Sequence, residues 1–185
     1  MASTSRRTAL LILGAAAAFA CGDRAPGEPL GLAPDVATAE QESDSQAALA
    51  ATSRLVVCPS SEARSVSKTV GILGGTIELD GTRVIIPVGA VLLPTTITLT
   101  LPASQYMEVD LTANALDHFE FPLPVHVTID YSRCNDSALS DRPVSAWYID
   151  SLTKSLLELM TGRDDRAARR ISFTTIHFSG YSIAQ

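Results

Sequence analysis

The chain has 185 residues, of which 46% are hydrophobic and 18% charged, with a net charge of −6 at neutral pH. That length holds one domain with a real core, and the acidic balance argues against nucleic acid and against adhesion to anionic lipid by charge. No Ser-His-Asp order, glycine-rich phosphate loop or paired carboxylate motif stands out, so no catalytic activity and no cofactor are expected.

The chain opens with Arg6-Arg7 and an apolar stretch, Ala9 to Ala20, too short to span a bilayer permanently. Residues 1–20 therefore read as an export signal. Ala18-Phe19-Ala20 before Cys21-Gly22-Asp23 resembles the bacterial lipoprotein signal, which implies an acylated Cys21 as the first mature residue. An ordinary Ala-x-Ala cleavage that leaves a soluble protein is the alternative. Ser5-Arg6-Arg7-Thr8 also resembles a twin-arginine signal, with general secretion as the default. Gly22 in place of an acidic residue after the cysteine permits transport to an outer membrane, where the cell has one, with the cell membrane as the other place for the anchor.

Residues 21–54 are rich in Ala, Ser, Glu and Pro and poor in large apolar side chains, so they read as a disordered tether. Six carboxylates against two arginines keep it solvated, and Gln46 to Ala51 has the composition of a fraying helix. With Cys21 lipidated, Cys58 and Cys134 remain. An even remainder in an exported chain points to a disulfide, with two buried thiols as the other reading.

The folded domain, residues 55–185, carries mostly β signals. Thr76 to Leu79 and Thr82 to Ile86 flank Asp80-Gly81, a dipeptide suited to a two-residue hairpin turn. The turn sets Leu79 opposite Thr82, Glu78 opposite Arg83 and Ile77 opposite Val84. Thr95 to Leu101 alternates, with Ile97, Leu99 and Leu101 on one face and threonines on the other. Pro122 and Pro124 bracket the start of a further strand with Val125, Val127, Ile129 and Tyr131 inward. Val144 to Asp150 and Ser155 to Met160 form another predicted hairpin, and Arg170 to Ala184 gives one strand or two broken at Gly180. Short strands without a convincing amphipathic helix mean an all-β antiparallel sandwich.

Gly74-Gly75, Ile86-Pro87-Val88-Gly89-Ala90, the Thr-rich strand after them and His177-Phe178-Ser179-Gly180-Tyr181 resemble the ZU-five domain of zonula occludens proteins, Unc-five netrin receptors and ankyrins. The resemblance covers residues from about 71 to the end. It implies a β-sandwich that works as a docking module for other proteins or domains. Turn chemistry is a sufficient account of the same residues: Pro87 ends a strand, Gly89 turns and Ala90 fits a close backbone crossing.

Some relatives of that domain, in death-domain and inflammasome scaffolds, cleave themselves between Phe and Ser of a His-Phe-Ser sequence, which implies Phe178-Ser179 as a cleavage point here. Ser179 Oγ would attack the Phe178 carbonyl, with His177 taking the proton. In an alternating strand, however, Phe178 faces the core while His177 and Ser179 share the other face. Trp147 beside Tyr148 is either an exposed platform for a carbohydrate or core packing. His118, His126 and His177 lack zinc-site spacing. Asp164-Asp165 among Arg163, Arg166, Arg169 and Arg170 reads as a solvated turn in the last long loop. The expected function is a binding or structural module in the bacterial envelope, anchored through lipid or secreted, with an envelope protein or polysaccharide as partner. A self-processing module and a carbohydrate-binding envelope protein are the alternatives.

Overall fold

A computed structural model describes residues 45–51, 53–116 and 118–185. The predicted export signal, the acylated Cys21 and most of the tether lie outside them. The described residues belong to one unit, Val36–Gln185. They contain one short α-helix, α1 at residues 45–51, a single 3-10 turn at Asp136–Ala138, and no helix long and apolar enough to cross a membrane.

Eleven strands follow among the described residues: β1 Arg64–Val70, β2 Gly75–Leu79, β3 Thr82–Ile86, β4 Thr95–Leu101, β5 Val109–Ala113, β6 Phe119–Asp130, β7 Ser145–Ile149, β8 Leu156–Leu159, β9 Gly162–Asp165, β10 Arg170–Phe178 and β11 Gly180–Ala184. They make two antiparallel sheets packed face to face. One has the order β1-β4-β5-β11-β7-β8 and the other β2-β3-β6-β10-β9.

The β2–β3 hairpin has the register that Asp80-Gly81 dictates, with Ile77 opposite Val84 and Glu78 opposite Arg83. Asp80 and Gly81 both take positive φ, 48° and 81°, the geometry whose twist matches the flanking strands. Arg83 Nε donates to Glu78 Oε2 at 2.9 Å, while Val84 and Ile77 are buried. Gly74 admits no side chain: its φ is +69° and a Cβ there would lie 2.1 Å from the Ile86 carbonyl oxygen. The core between the sheets is built from alternating residues, Val84, Val125, Val127 and Ile129 on one side and Ile97, Leu99, Leu111 and Ile183 on the other.

The structure corrects the sequence reading in two places and decides a third that the sequence left open. Strand β6 starts at Phe119, before both prolines, and does not open behind them. Its ladder to β10 jumps from Val125 opposite Thr175 to Glu120 opposite His177, so Pro122 and Pro124 sit where pairing is interrupted and no N–H is needed. Residues 162–165, expected in a loop, form edge strand β9 against β10. Residues 170–184 are two strands, and they belong to different sheets.

The six-stranded sheet is buried on both faces around β7 and β11. Outward-facing Trp147, Ile149 and Ala184 form a second apolar cluster against which Ala50 of α1 and Leu55 pack. Leu55 bridges Ala184, and Arg54 and Gln185 exchange backbone hydrogen bonds at 2.8 and 2.9 Å, so the chain's end is paired with the start of the domain.

Candidate functional site

The predicted cleavage point lies where the chain changes sheets. Strand β10 ends at Phe178 and β11 begins at Gly180, so Ser179 alone makes the crossing. The Phe178 ring is fully buried, 4.5 Å from that of Phe121, which places it in the core as its strand position requires. The Ser179 carbonyl accepts a hydrogen bond from Leu111 N at 3.1 Å.

His177 is held by its neighbours. The Tyr181 hydroxyl donates to the His177 carbonyl at 2.5 Å, and Thr175 Oγ1 donates to the same oxygen at 2.9 Å. Nδ1 of His177 lies 3.3 Å from the Tyr181 oxygen, within hydrogen-bond reach. The remaining ring nitrogen, Nε2, lies 3.9 Å from Glu158 Oε2. Burial pushes the Tyr181 phenol well above its ordinary pKa, and the nearby Glu158 carboxylate adds to the shift, partly offset by the Thr175 hydrogen bond. Among the described residues no hydrogen bond joins Ser179 Oγ to the His177 ring. An N-to-O acyl shift needs a base at that hydroxyl, and the two ring nitrogens of His177 lie toward Tyr181 and Glu158.

The three histidines separate into a pair and a single. His118 and His177 stack at 5.4 Å because β6 and β10 run side by side with Phe119 opposite Phe178. His126 lies on the exposed face of β6, opposite Ile85 and Thr174. Among the described residues no group of three or more His, Cys, Asp or Glu side chains is placed to hold a metal.

No aromatic platform forms. Trp147 is 1% exposed, and the Tyr148 ring lies edge-on to His177 at 5.2 Å, so core packing is the role the structure gives this pair. Trp147 Nε1 and Ser182 Oγ, on residues opposite each other in β7 and β11, are both buried without a hydrogen-bond partner. The Arg163–Arg170 charge cluster is also structural. Asp164 accepts from the Tyr131 hydroxyl at 2.5 Å and from Val144 N at 3.3 Å, Arg166 donates to the carbonyls of Arg142 and Ser140, and Arg169 donates to the Cys134 carbonyl and the Asp136 carboxylate. These charges fasten residues 134–144 and do not merely pair within their own turn.

Cys58 and Cys134 form a disulfide across 76 residues of sequence. Arg133, next to it, spends its guanidinium on the carbonyls of Pro59, at 3.0 Å, and Tyr106, at 2.5 Å, and on Ser61 Oγ. Beside them is a cleft of about 420 Å³ lined by Arg64, Asp80, Glu108, Asp130 and Arg133. The Glu108 side chain is 1% exposed, with Lys154 Nζ at 2.5 Å and Ser104 Oγ at 2.6 Å. Partial burial of Asp130 works against its charge, but hydrogen bonds from Ser132 and Arg170 prevail and hold its pKa below the ordinary carboxylate value.

At the other end of the strands the loops β1–β2, β3–β4 and β5–β6 come together. Gly89 N donates to the Ile72 carbonyl at 2.8 Å, joining the first two, and Asn114 N donates to the Thr96 carbonyl at 2.7 Å, joining the third to the start of β4. Their large side chains stand in solvent: Leu73 is 80% exposed, Leu93 75%, Leu92 71% and Val88 67%, with Ile72 and Leu116 more than half exposed. In sequence these loops contain no Lys, Arg or Glu and one acidic residue, Asp117. An apolar cleft of about 300 Å³ runs between Val91, Leu92, Leu93, Phe119 and Pro122. The sequence reading did not single this end out, although paired apolar residues between Gly and Pro were its visible signal.

The fold thus defines an all-β sandwich of two antiparallel sheets. No family model matches the chain, and no curated protein matches it.

Proposed function

We propose that the chain is an exported, lipid-anchored β-sandwich that acts as a docking or structural module in the cell envelope rather than as an enzyme. The observation that carries this reading is the exposed apolar end formed by Ile72, Leu73, Val88, Leu92 and Leu93. A contiguous exposed apolar surface of this kind marks an interaction site. The resemblance of Gly74 to Ala90 and of His177 to Tyr181 to the ZU-five domain supports the same role, as does the Ala18-Phe19-Ala20-Cys21 pattern for the anchor. Self-processing between Phe178 and Ser179 draws less support, because the imidazole beside that bond is engaged by Tyr181 and faces Glu158.

Fatty-acid labelling of the expressed full chain, with and without Cys21→Ser, tests the anchor. Label that disappears with Cys21→Ser supports it. An unlabelled mature chain whose mass starts at Cys21 removes it and leaves a secreted module.

A further inference from the structure

We infer that helix α1 is a displaceable cover, and that the outer face of β11, β7 and β8 beneath it takes an extended peptide segment of a partner through Trp147 and Ser182. This second docking surface shares no residue with the exposed apolar loops. It therefore stands or falls without them and without the lipid anchor.

Trp147 on β7 and Ser182 on β11 are directly opposite each other, so their side chains rise from the same face of the sheet with Cβ atoms roughly 5 Å apart. Both residues are buried, and neither Trp147 Nε1 nor Ser182 Oγ has a hydrogen-bond partner. Buried polar groups are nearly always paired, because an unpaired one loses its hydrogen bonds to water and gains nothing in return. Here a donor without an acceptor adjoins a hydroxyl that lacks both.

The cover meets only the apolar side of this surface. Ala50 of α1 and Leu55 pack against Trp147, Ile149 and Ala184, and neither side chain carries a polar atom. The backbone on either side of Leu55 is committed to the chain's end: Arg54 N donates to the Gln185 carbonyl at 2.8 Å and Val56 N to the Ile183 carbonyl at 3.1 Å. At seven residues, Ser-Gln-Ala-Ala-Leu-Ala-Ala, α1 is shorter than a helix that holds in water by itself. Its helix depends on packing and gives way to an occupant that packs better.

The two unmet groups identify that occupant. A peptide group offers the C=O that the indole N–H lacks and an N–H for the serine oxygen. In an extended segment both are available, whereas the interior of a helix uses them within itself. Tryptophan is also among the side chains that most often anchor binding surfaces. Ile149, with Leu156 and Leu159 of edge strand β8, supplies aliphatic ground for a side chain next to that peptide group, which suits a peptide better than a sugar ring.

Trp147 is the chain's one tryptophan, so its indole N–H gives a single signal in nitrogen-resolved NMR spectra. The test uses the Cys21→Ser chain, which keeps lipid out of the sample, and N-acetyl-leucine amide as the probe. The expected result is a saturable downfield shift of the indole signal. Ala47→Gly and Ala48→Gly, at exposed positions of α1, should each tighten binding roughly two- to fivefold by favouring the open cover. Ser182→Ala should weaken binding about fivefold yet raise the melting temperature, since it removes a group that the closed chain leaves unpaired. An indole signal unmoved by the probe in the parent and both glycine variants overturns the inference and leaves the apolar loops as the docking surface. Equal affinity in all three chains also overturns it, because the cover then plays no part. A lower melting temperature for Ser182→Ala does the same, since the hydroxyl is then paired in the closed chain. A response to cellobiose in place of the amide overturns the peptide occupant and makes the face a carbohydrate site.

Discussion

The Tyr181 hydroxyl on β11 reaches back to the His177 carbonyl on β10 at 2.5 Å, so the two strands that flank the crossing at Ser179 are tied across it. The tie links the two sheets at one residue and fixes the conformation of the peptide between Phe178 and Ser179.

The crossing is therefore expected to stay intact. Purified chain kept at neutral pH should show only uncut mass beyond residue 178, and Ser179→Ala should change nothing in the mass spectrum. A fragment ending at Phe178 that vanishes in Ser179→Ala would make self-processing the right reading, with His177 freed from Tyr181 in the reacting state.

Tyr181→Phe should lower stability by about 1 kcal/mol, because the His177 carbonyl loses one of its two donors, Thr175 Oγ1 remaining. The same substitution should flatten the alkaline limb of the stability profile. Below about pH 10, the phenol's ordinary pKa, it is neutral in both folded and unfolded chains. Above that pH the unfolded chain releases the proton while burial keeps it on the folded one, so the parent chain loses stability as pH rises. Urea melts between pH 8 and 11 measure this; parallel curves for parent and variant would contradict it.

Reducing the disulfide between Cys58 and Cys134 should cost up to about 4.5 kcal/mol on the chain-entropy account of a loop of this size. Thermal melts with and without reductant read the difference. The Cys58→Ser, Cys134→Ser chain should melt with the reduced protein and be insensitive to reductant. A melting temperature unchanged by reduction would show that Arg133 and its carbonyl partners hold residues 58–61 without the bridge.

Lys154→Ala leaves the buried Glu108 carboxylate with Ser104 as its remaining hydrogen-bond partner. The expected loss is about 2–4 kcal/mol, less than for a fully buried pair because the lysine is a third exposed. Adding Glu108→Gln should restore most of it, since the uncompensated charge is then gone. Denaturant titration of the single and double variants decides, and an additive double variant would mean the two side chains do not interact.

Local chemistry made part of this fold legible. Asp80-Gly81 set a hairpin register that the structure reproduces residue for residue, and the alternation in residues 95–101 and 125–131 sorted inward from outward side chains. Strand β1 gave no such signal: Arg64–Val70 is an edge strand, largely exposed, with only Val70 fully buried. Strand β9, Gly162–Asp165, is charged for the same positional reason, since a charged edge resists pairing with another chain. Strand β5 did carry a readable pattern, Val109, Leu111 and Ala113 inward, that was passed over. Around Trp147 the alternation fails because both faces of β7 and β11 are covered, and the cover comes partly from α1, whose composition reads as tether. The meeting of His118 with His177 depends on strands that pair over some sixty residues of sequence, which no local spacing reveals.

The pairing of Arg54 with Gln185, followed by Leu55 with Ala184 and the bridge at Cys58, also has a mechanical meaning. A pull arriving from the N-terminal side first loads α1 and the few contacts of residues 53–57, which lie antiparallel to the chain's end and peel one at a time. The next element in line is a covalent bond into residue 134. Tension is thereby delivered past β1 to β6 and into the middle of the chain, and those strands lie inside a closed loop that the pull does not stretch.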